Sequence, residues 1–256
     1  MDFVEILEHH LLDHKIAKLF TVGGHTFYLT THNLMMAIAS LILFALLLLA
    51  RRQSLPAGRQ EASAPTGWAN FFEIFIVYIR DEIVRPNLGD AGDKYLPYFL
   101  TLFFFILFCN LLGMVPFGAT ATGNIAVTAG MAMTTFLMIN ISGIREHGFI
   151  HYAQTFIPHG LPFWLVPLMF VIEILGLFTK SFALCIRLFA NMIAGHIVIL
   201  AFIGLIFIFK SIFIAPISVA AAVGLGLLEL FVAFLQAYVF TLLTAVFVGG
   251  AVNPQH

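Results

Sequence analysis

Charge is scarce in this sequence. Asp, Glu, Lys and Arg together make up 10% of its 256 residues, against roughly 25% in a typical soluble domain. Hydrophobic residues make up 61%, and the mean hydropathy is +1.01. Water is a poor solvent for such a surface, so a soluble domain is excluded. Only two cysteines occur, Cys109 and Cys185, both inside apolar runs. They are expected to be small buried side chains rather than a disulfide or redox pair. The sequence contains no HExxH, CxxC, phosphate-binding glycine loop or nucleophile elbow, so cofactor and metal chemistry have no foothold. His10 and His14 lie one helical turn apart beside Glu8 and Asp13, a spacing compatible with metal ligands, but a polar amphipathic start accounts for it better. The start, MDFVEILEHHLLDHKIAKLF, has no basic region leading into an apolar run, so a signal peptide is not expected.

What the sequence has in abundance is apolar runs near or above the roughly 20 residues that span a bilayer. Residues 1–33 are read as an outer N-terminal segment, and 34–50, LMMAIASLILFALLLLA, as a first transmembrane helix stopped by Arg51 and Arg52. An inner linker, 51–96, begins with the Pro- and Gly-rich RRQSLPAGRQEASAPTG. Its part 68–85, WANFFEIFIVYIRDEIVR, interrupts an aromatic and aliphatic run with Glu73, Arg80, Asp81 and Glu82, the pattern of an interfacial amphipathic helix. Residues 97–144 are expected to form a transmembrane hairpin whose first limb carries the polar Asn110. Its second limb is rich in Ala, Gly and Thr, which permit close helix contact across the ATATG connection. A polar inner connection, 145–162, bears His147, His151 and His159.

From 163 to 210 there is almost no break, about 48 residues or about 72 Å of helix, far beyond a hydrocarbon core of about 30 Å. The glycines at 176, 195 and 204 have no polar turn around them, so one tilted helix is favoured over two crossings with a hidden turn. A second long run follows Lys210 and Pro216, making 163–250 an antiparallel hairpin before a short tail, 251–256. The chain is therefore predicted to be an all-α polytopic membrane protein. It has five membrane-embedded helices, the last two long and tilted, plus the interfacial helix. Arg51, Arg52, Arg59, Arg80, Arg85, Lys94 and Arg145 outweigh Lys15, Lys18 and Lys210 on the other side, which puts the N-terminus outside and the C-terminus in the cytoplasm. The linker arginines read as topology determinants, not a nucleic-acid patch.

Arg187 is the most informative residue. It lies deep inside the 163–210 run and stays protonated when buried, at a cost of several kcal/mol or more at mid-membrane unless an anion or water meets it. Snorkelling or a structural ion pair is the plainer account, but the nearest interface is far away. Asn191 and Lys180 share roughly the face of Arg187, and Glu173 falls within about 40° of it. His196 is about half a turn away in azimuth and roughly 13 Å further along. On the last helix, Glu229 and Gln236 fall on nearly one face. Folding the hairpin about residue 213 puts His196 and Glu229 at the same depth and Arg187 roughly level with Gln236, within reach of a hydrogen bond. A His–Glu pair in low dielectric can exchange protons near neutral pH.

Three segments resemble the a-subunit family of the membrane sector of F-type ATP synthases: KSFALCIRLFANMIAGH at 180–196, ELFVAFLQAYVFTLLTAVFVG at 229–249 and, more loosely, FFILFCNLLGMVPF at 104–117. The likeness covers nearly the whole chain and is weakest at 54–65 and at the acidic start. It implies a proton-translocating stator subunit, without ATP chemistry or a cofactor of its own, that offers two offset half-channels to the carboxylates of a rotor ring. By the same resemblance Arg187 is the essential charge facing that ring, with Asn191 beside it and Gln236 near it. Glu173 belongs to the inner half-channel, and Lys180 with Ser181 forms the polar pair before the arginine. His196 and Glu229 belong to the outer half-channel, in the His-then-Glu order of mitochondrial and alphaproteobacterial members. The implied partners are a ring of c subunits, b-type peripheral stalk subunits, the remainder of the complex and membrane lipid, with no nucleic acid. The implied location is the bacterial cell inner membrane. From the residues alone, the alternative is a proton- or cation-coupled secondary transporter, although the two comparable repeats of such folds are not seen. A passive assembly subunit would not need Arg187, His196 and Glu229 at these depths.

Overall fold

Five apolar stretches fold as helices long and apolar enough to cross a membrane, among the residues described by a computed structural model. Those residues are 15–22, 25–54, 67–115, 120–155, 163–209, 213 and 215–253. His10 and His14 lie outside them. The membrane helices are α1 (Thr31–Ser54), α4 (Leu96–Gly113), α5 (Ile125–His147), α7 (Val166–Phe209) and α8 (Ala215–Val252). The helical polytopic architecture expected from the sequence is thus present.

Ahead of α1 the structure adds something unanticipated. Strands β1 (Lys15–Val22) and β2 (His25–Thr30) pair antiparallel, from Lys15 against Thr30 to Val22 against His25. Their aromatic and β-branched content suits a strand, and Gly23–Gly24 between them is a two-residue hairpin signal that the weight of apolar runs downstream obscured. Thr30 then caps α1 by accepting from the Asn33 N–H at 3.4 Å.

The amphipathic run folds as α2 (Trp68–Tyr78), a π-helical turn (Ile79–Val84) and the short α3 (Arg85–Leu88). Its Ile79, Ile83, Val84 and Leu88 are buried, whereas Phe71, Ile74 and Val77 are exposed. Arg80 forks onto Asp81 at 2.9 and 3.2 Å and holds that carboxyl below the usual carboxylate range. A 3-10 stretch, Gly89–Lys94, leads into α4, and α6 (Phe149–Thr155) follows α5. Gly148 makes that last junction with φ 77°, a left-handed helix end that favours glycine.

α7 is a single helix through Gly176, Gly195 and Gly204. Each glycine costs about 1 kcal/mol relative to alanine, but a turn there would leave backbone N–H and C=O groups unpaired in hydrocarbon, which costs more. Helix is therefore the cheaper conformation, and the hidden-turn alternative is not realised.

The described chain falls into two compact units. One comprises Ile42–Phe104, Ala129–Cys185 and Tyr238–His256. Its core is aromatic: Phe72 and Phe75 tilt against Phe104 at ring-centroid distances of 5.4 and 5.9 Å, and Phe136 stacks on Phe178 at 4.9 Å. Two buried hydroxyls bond their own helices, Ser142 to Ile139 O and Thr244 to Phe240 O. Polar ties join its segments: Lys94 and Tyr95 Oη to Glu146, and His147 Nε2 to Val252 O at 2.8 Å. The other unit comprises Met1–Leu41, Phe105–Thr128 and Ile186–Ala237, and it holds five of the eight site candidates: Arg187, Asn191, His196, Glu229 and Gln236.

Candidate functional site

Within that unit α7 and α8 run side by side, and four of their polar side chains meet in two pairs. His196 Nδ1 stands 2.8 Å from Glu229 Oε1, as the common depth of the two residues requires. The contact is close but not aligned as a hydrogen bond, because Nδ1 is directed to Met192 O, one turn back on α7, at 3.1 Å. The other ring nitrogen, Nε2, lies 2.9 Å from Thr120 Oγ1 and 3.1 Å from Gly113 O, the carbonyl that ends α4. His196 is therefore gripped from three directions. Glu229 is 8% exposed and His196 keeps more surface, so the acid is the inner member of the pair.

Two turns along α8, Gln236 accepts from Asn191 Nδ2 at 2.9 Å. The expected bond between Gln236 and Arg187 is not formed. Asn191 sits one turn beyond Arg187 on α7 and is the residue level with Gln236, so it takes that place. Between the two polar pairs lies a cavity of about 10 Å³, bordered by Asn110, Asn191, Glu229 and Gln236 and closed by Leu188 and Met192. That is about the minimum space for one water molecule, and the polar groups around it supply the partners a buried water needs. Asn110 is fixed by donating to Ala233 O at 3.2 Å and accepting from Thr122 Oγ1 at 2.9 Å.

Arg187 is exposed on α7 and, among the described residues, forms no ion pair or hydrogen bond. Ala190 one turn on and Ala194 two turns on, along its stripe, are small and also exposed. A second chain can approach such a surface closely, with the guanidinium at its centre.

The remaining sequence-derived candidates belong to the aromatic unit. Glu173 is exposed on α7. Lys180 is exposed, with Nζ 5.5 Å from the Phe247 ring centroid, within cation–π range. Ser181 is buried, and its hydroxyl has no partner among the described residues.

Sequence reasoning did not mark Thr120, Gly113 or Gly195 as site residues. A Cβ at Gly195 would stand 2.7 Å from Glu229 Oε1, and one at Gly113 would stand 2.7 Å from Thr120 Oγ1. Both glycines make room for a neighbouring polar side chain. The usable signal was polar or absent side chains beside the residues already chosen: Gly195 precedes His196, and Gly113 follows Asn110 by three.

A family model described as ATP synthase A chain matches residues 33–249. A protein of Chloroherpeton thalassium named ATP synthase subunit a is 49% identical over 235 residues, covering 90% of this chain and 68% of that one. Its namesake from Myxococcus xanthus is 46% identical over 230 residues, covering 89% and 74%. ATP synthase subunit a 2 of Prosthecochloris aestuarii is 44% identical over 257 residues, covering 96% and 78%.

Proposed function

The chain belongs to the ATP synthase A chain family, the proton-translocating stator subunits of the membrane sector, and we propose that its polar residues form two half-channels serving a ring of c subunits. It is a membrane-embedded member of an F-type ATP synthase complex. The observation that carries the reading is Arg187, a permanent charge exposed mid-helix beside small alanines with no partner among the described residues. Such a charge is costly in lipid and calls for an anion on a neighbouring chain. A carboxylate on a rotor helix is that anion.

In this scheme a proton enters from outside through water near His196 and Glu229 and passes to a rotor carboxylate. It leaves after nearly a full turn by a route near Glu173. Arg187 keeps the passing carboxylate ionised and repels a proton hopping between the routes. A tenfold bias needs only about 1.4 kcal/mol, which one charge in a partly dry interface exceeds. Asn191 and Gln236, bonded to each other, hold α7 and α8 in register beside the charge, and Lys180 with Ser181 extends the polar stripe towards Glu173. The proposed setting is a bacterial inner membrane with the N-terminus outside and the C-terminus in the cytoplasm. Stalk subunits of b type are the proposed static partners.

The test is substitution of Arg187 in the assembled complex. Arg187→Ala abolishes ATP-driven proton pumping in membrane vesicles and opens a passive leak. Arg187→Lys is severely impaired, because it lacks the planar donor fork. Wild-type pumping by the alanine variant would overturn the assignment.

A further inference from the structure

The oxygens around His196 are not equivalent. Met192 O and Gly113 O can only accept hydrogen bonds, and so can Glu229 while it is ionised. Thr120 Oγ1 alone can either donate or accept, because a hydroxyl turns about its C–O bond. It stands 2.9 Å from Nε2 and 3.3 Å from Gly113 O, so its hydrogen can point to either. Beside an ionised Glu229, both neighbours of Nδ1 accept, and Nδ1 keeps its hydrogen. Nε2 is then the nitrogen that gains and loses a proton.

We propose that Thr120 is the positioning residue for proton transfer at His196, its hydroxyl donating to Nε2 of the neutral ring and turning to donate to Gly113 O when Nε2 is protonated. In the first state the Nε2 lone pair is satisfied by the hydroxyl hydrogen. In the second, the new Nε2–H donates to Thr120 Oγ1 and Gly113 O, while the hydroxyl hydrogen goes to the same carbonyl. The proton arrives from water and leaves to water or to a carboxylate, and no covalent bond other than that N–H forms or breaks. Nε2 has a partner in both states, so neither is trapped. Without the hydroxyl, the neutral ring would turn its Nε2 lone pair onto carbonyl lone pairs 3.1 Å away.

The local fold is built for this. Thr120 is buried, and it reaches the end of α4 only because residue 113 is glycine. Among the described residues, Glu229 on α8 is the titratable group facing the ring. The end of α4 and residue 120 bring a carbonyl and a hydroxyl, and α7 itself brings Met192 O.

The inference rests on His196 lying in the proton path, and the test separates the two ideas. ATP-driven pumping is measured across pH in the assembled complex for Thr120→Val, Thr120→Ala, Thr120→Ser and His196→Gln. The two variants without a hydroxyl are expected to pump about tenfold more slowly, as loss of one hydrogen bond allows, with a displaced pH profile. Thr120→Ser is expected to keep the wild-type rate and profile. If Thr120→Val fails to assemble, Thr120→Ala carries the same expectation with no added bulk. Wild-type profiles in both, or a Thr120→Ser as impaired as they are, would overturn the role of the hydroxyl while a defective His196→Gln left the proton path standing. Normal pumping by His196→Gln would remove His196 from the path itself.

Discussion

Glu229 keeps its carboxyl beside His196 only because residue 195 has no side chain. A methyl group there meets Oε1 at 2.7 Å and the carboxyl carbon at 3.0 Å, so Gly195→Ala has to push the acid away from the imidazole. Proton pumping by that variant should fall about tenfold or more, the cost of misplacing a proton-transfer partner by about an ångström, while the assembled complex stays intact on a native gel. The shorter acid in Gly195→Ala with Glu229→Asp should recover part of the rate, and a double variant no better than the single one would remove the steric account. Legibility at this scale followed polarity. Arg187, Asn110 and Glu229 stand out in apolar runs because such residues are rare there. Gly113, Thr120 and Gly195 do not, since small residues are common in membrane helices and these act through a distance that appears only when helices pack.

The helices themselves show what a hydropathy pattern can and cannot carry. α7 continues for 44 residues because nothing in its sequence offers the backbone a polar alternative. The approach between the end of α8 and the segment after the π-helical turn is set differently. A Cβ at Gly249 would overlap the backbone oxygen of Asn87, and a backbone oxygen cannot swing aside. Gly249→Ala should therefore destabilise the protein by about 1–3 kcal/mol, seen as a lower melting temperature of the purified complex in detergent. An unchanged melting temperature would mean that the two segments can part at no cost. The π-helical turn and the β1–β2 hairpin escaped the sequence reading for different reasons. The first depends on which side chains its helix meets. The second had its Gly23–Gly24 signal in plain view beside a stronger one.

For the molecule in its membrane, the decisive demand is that no continuous wet path joins the two sides, because 100 mV is worth about 2.3 kcal/mol per charge. Cysteines placed at 196 or 229, with Cys109 and Cys185 replaced, should react with a membrane-impermeant thiol reagent added from outside, and a cysteine at 173 should react from inside. Positions near Arg187 should be protected from both while the rotor ring is bound. Strong labelling of 173 from outside would reverse the half-channels even in a working proton carrier. The lipid setting, the five helices, the family and the depth at which His196 and Glu229 meet are all legible in one dimension. Each of these depends on composition, or on position along a helix of fixed rise. The packed helices alone reveal that Gln236 pairs with Asn191 instead of Arg187, that Arg187 is exposed, and that Thr120 and Gly113 close on Nε2. Those outcomes turn on the azimuth of packed helices and on ångström-scale clearances, which side-chain contacts set and a one-dimensional pattern does not encode.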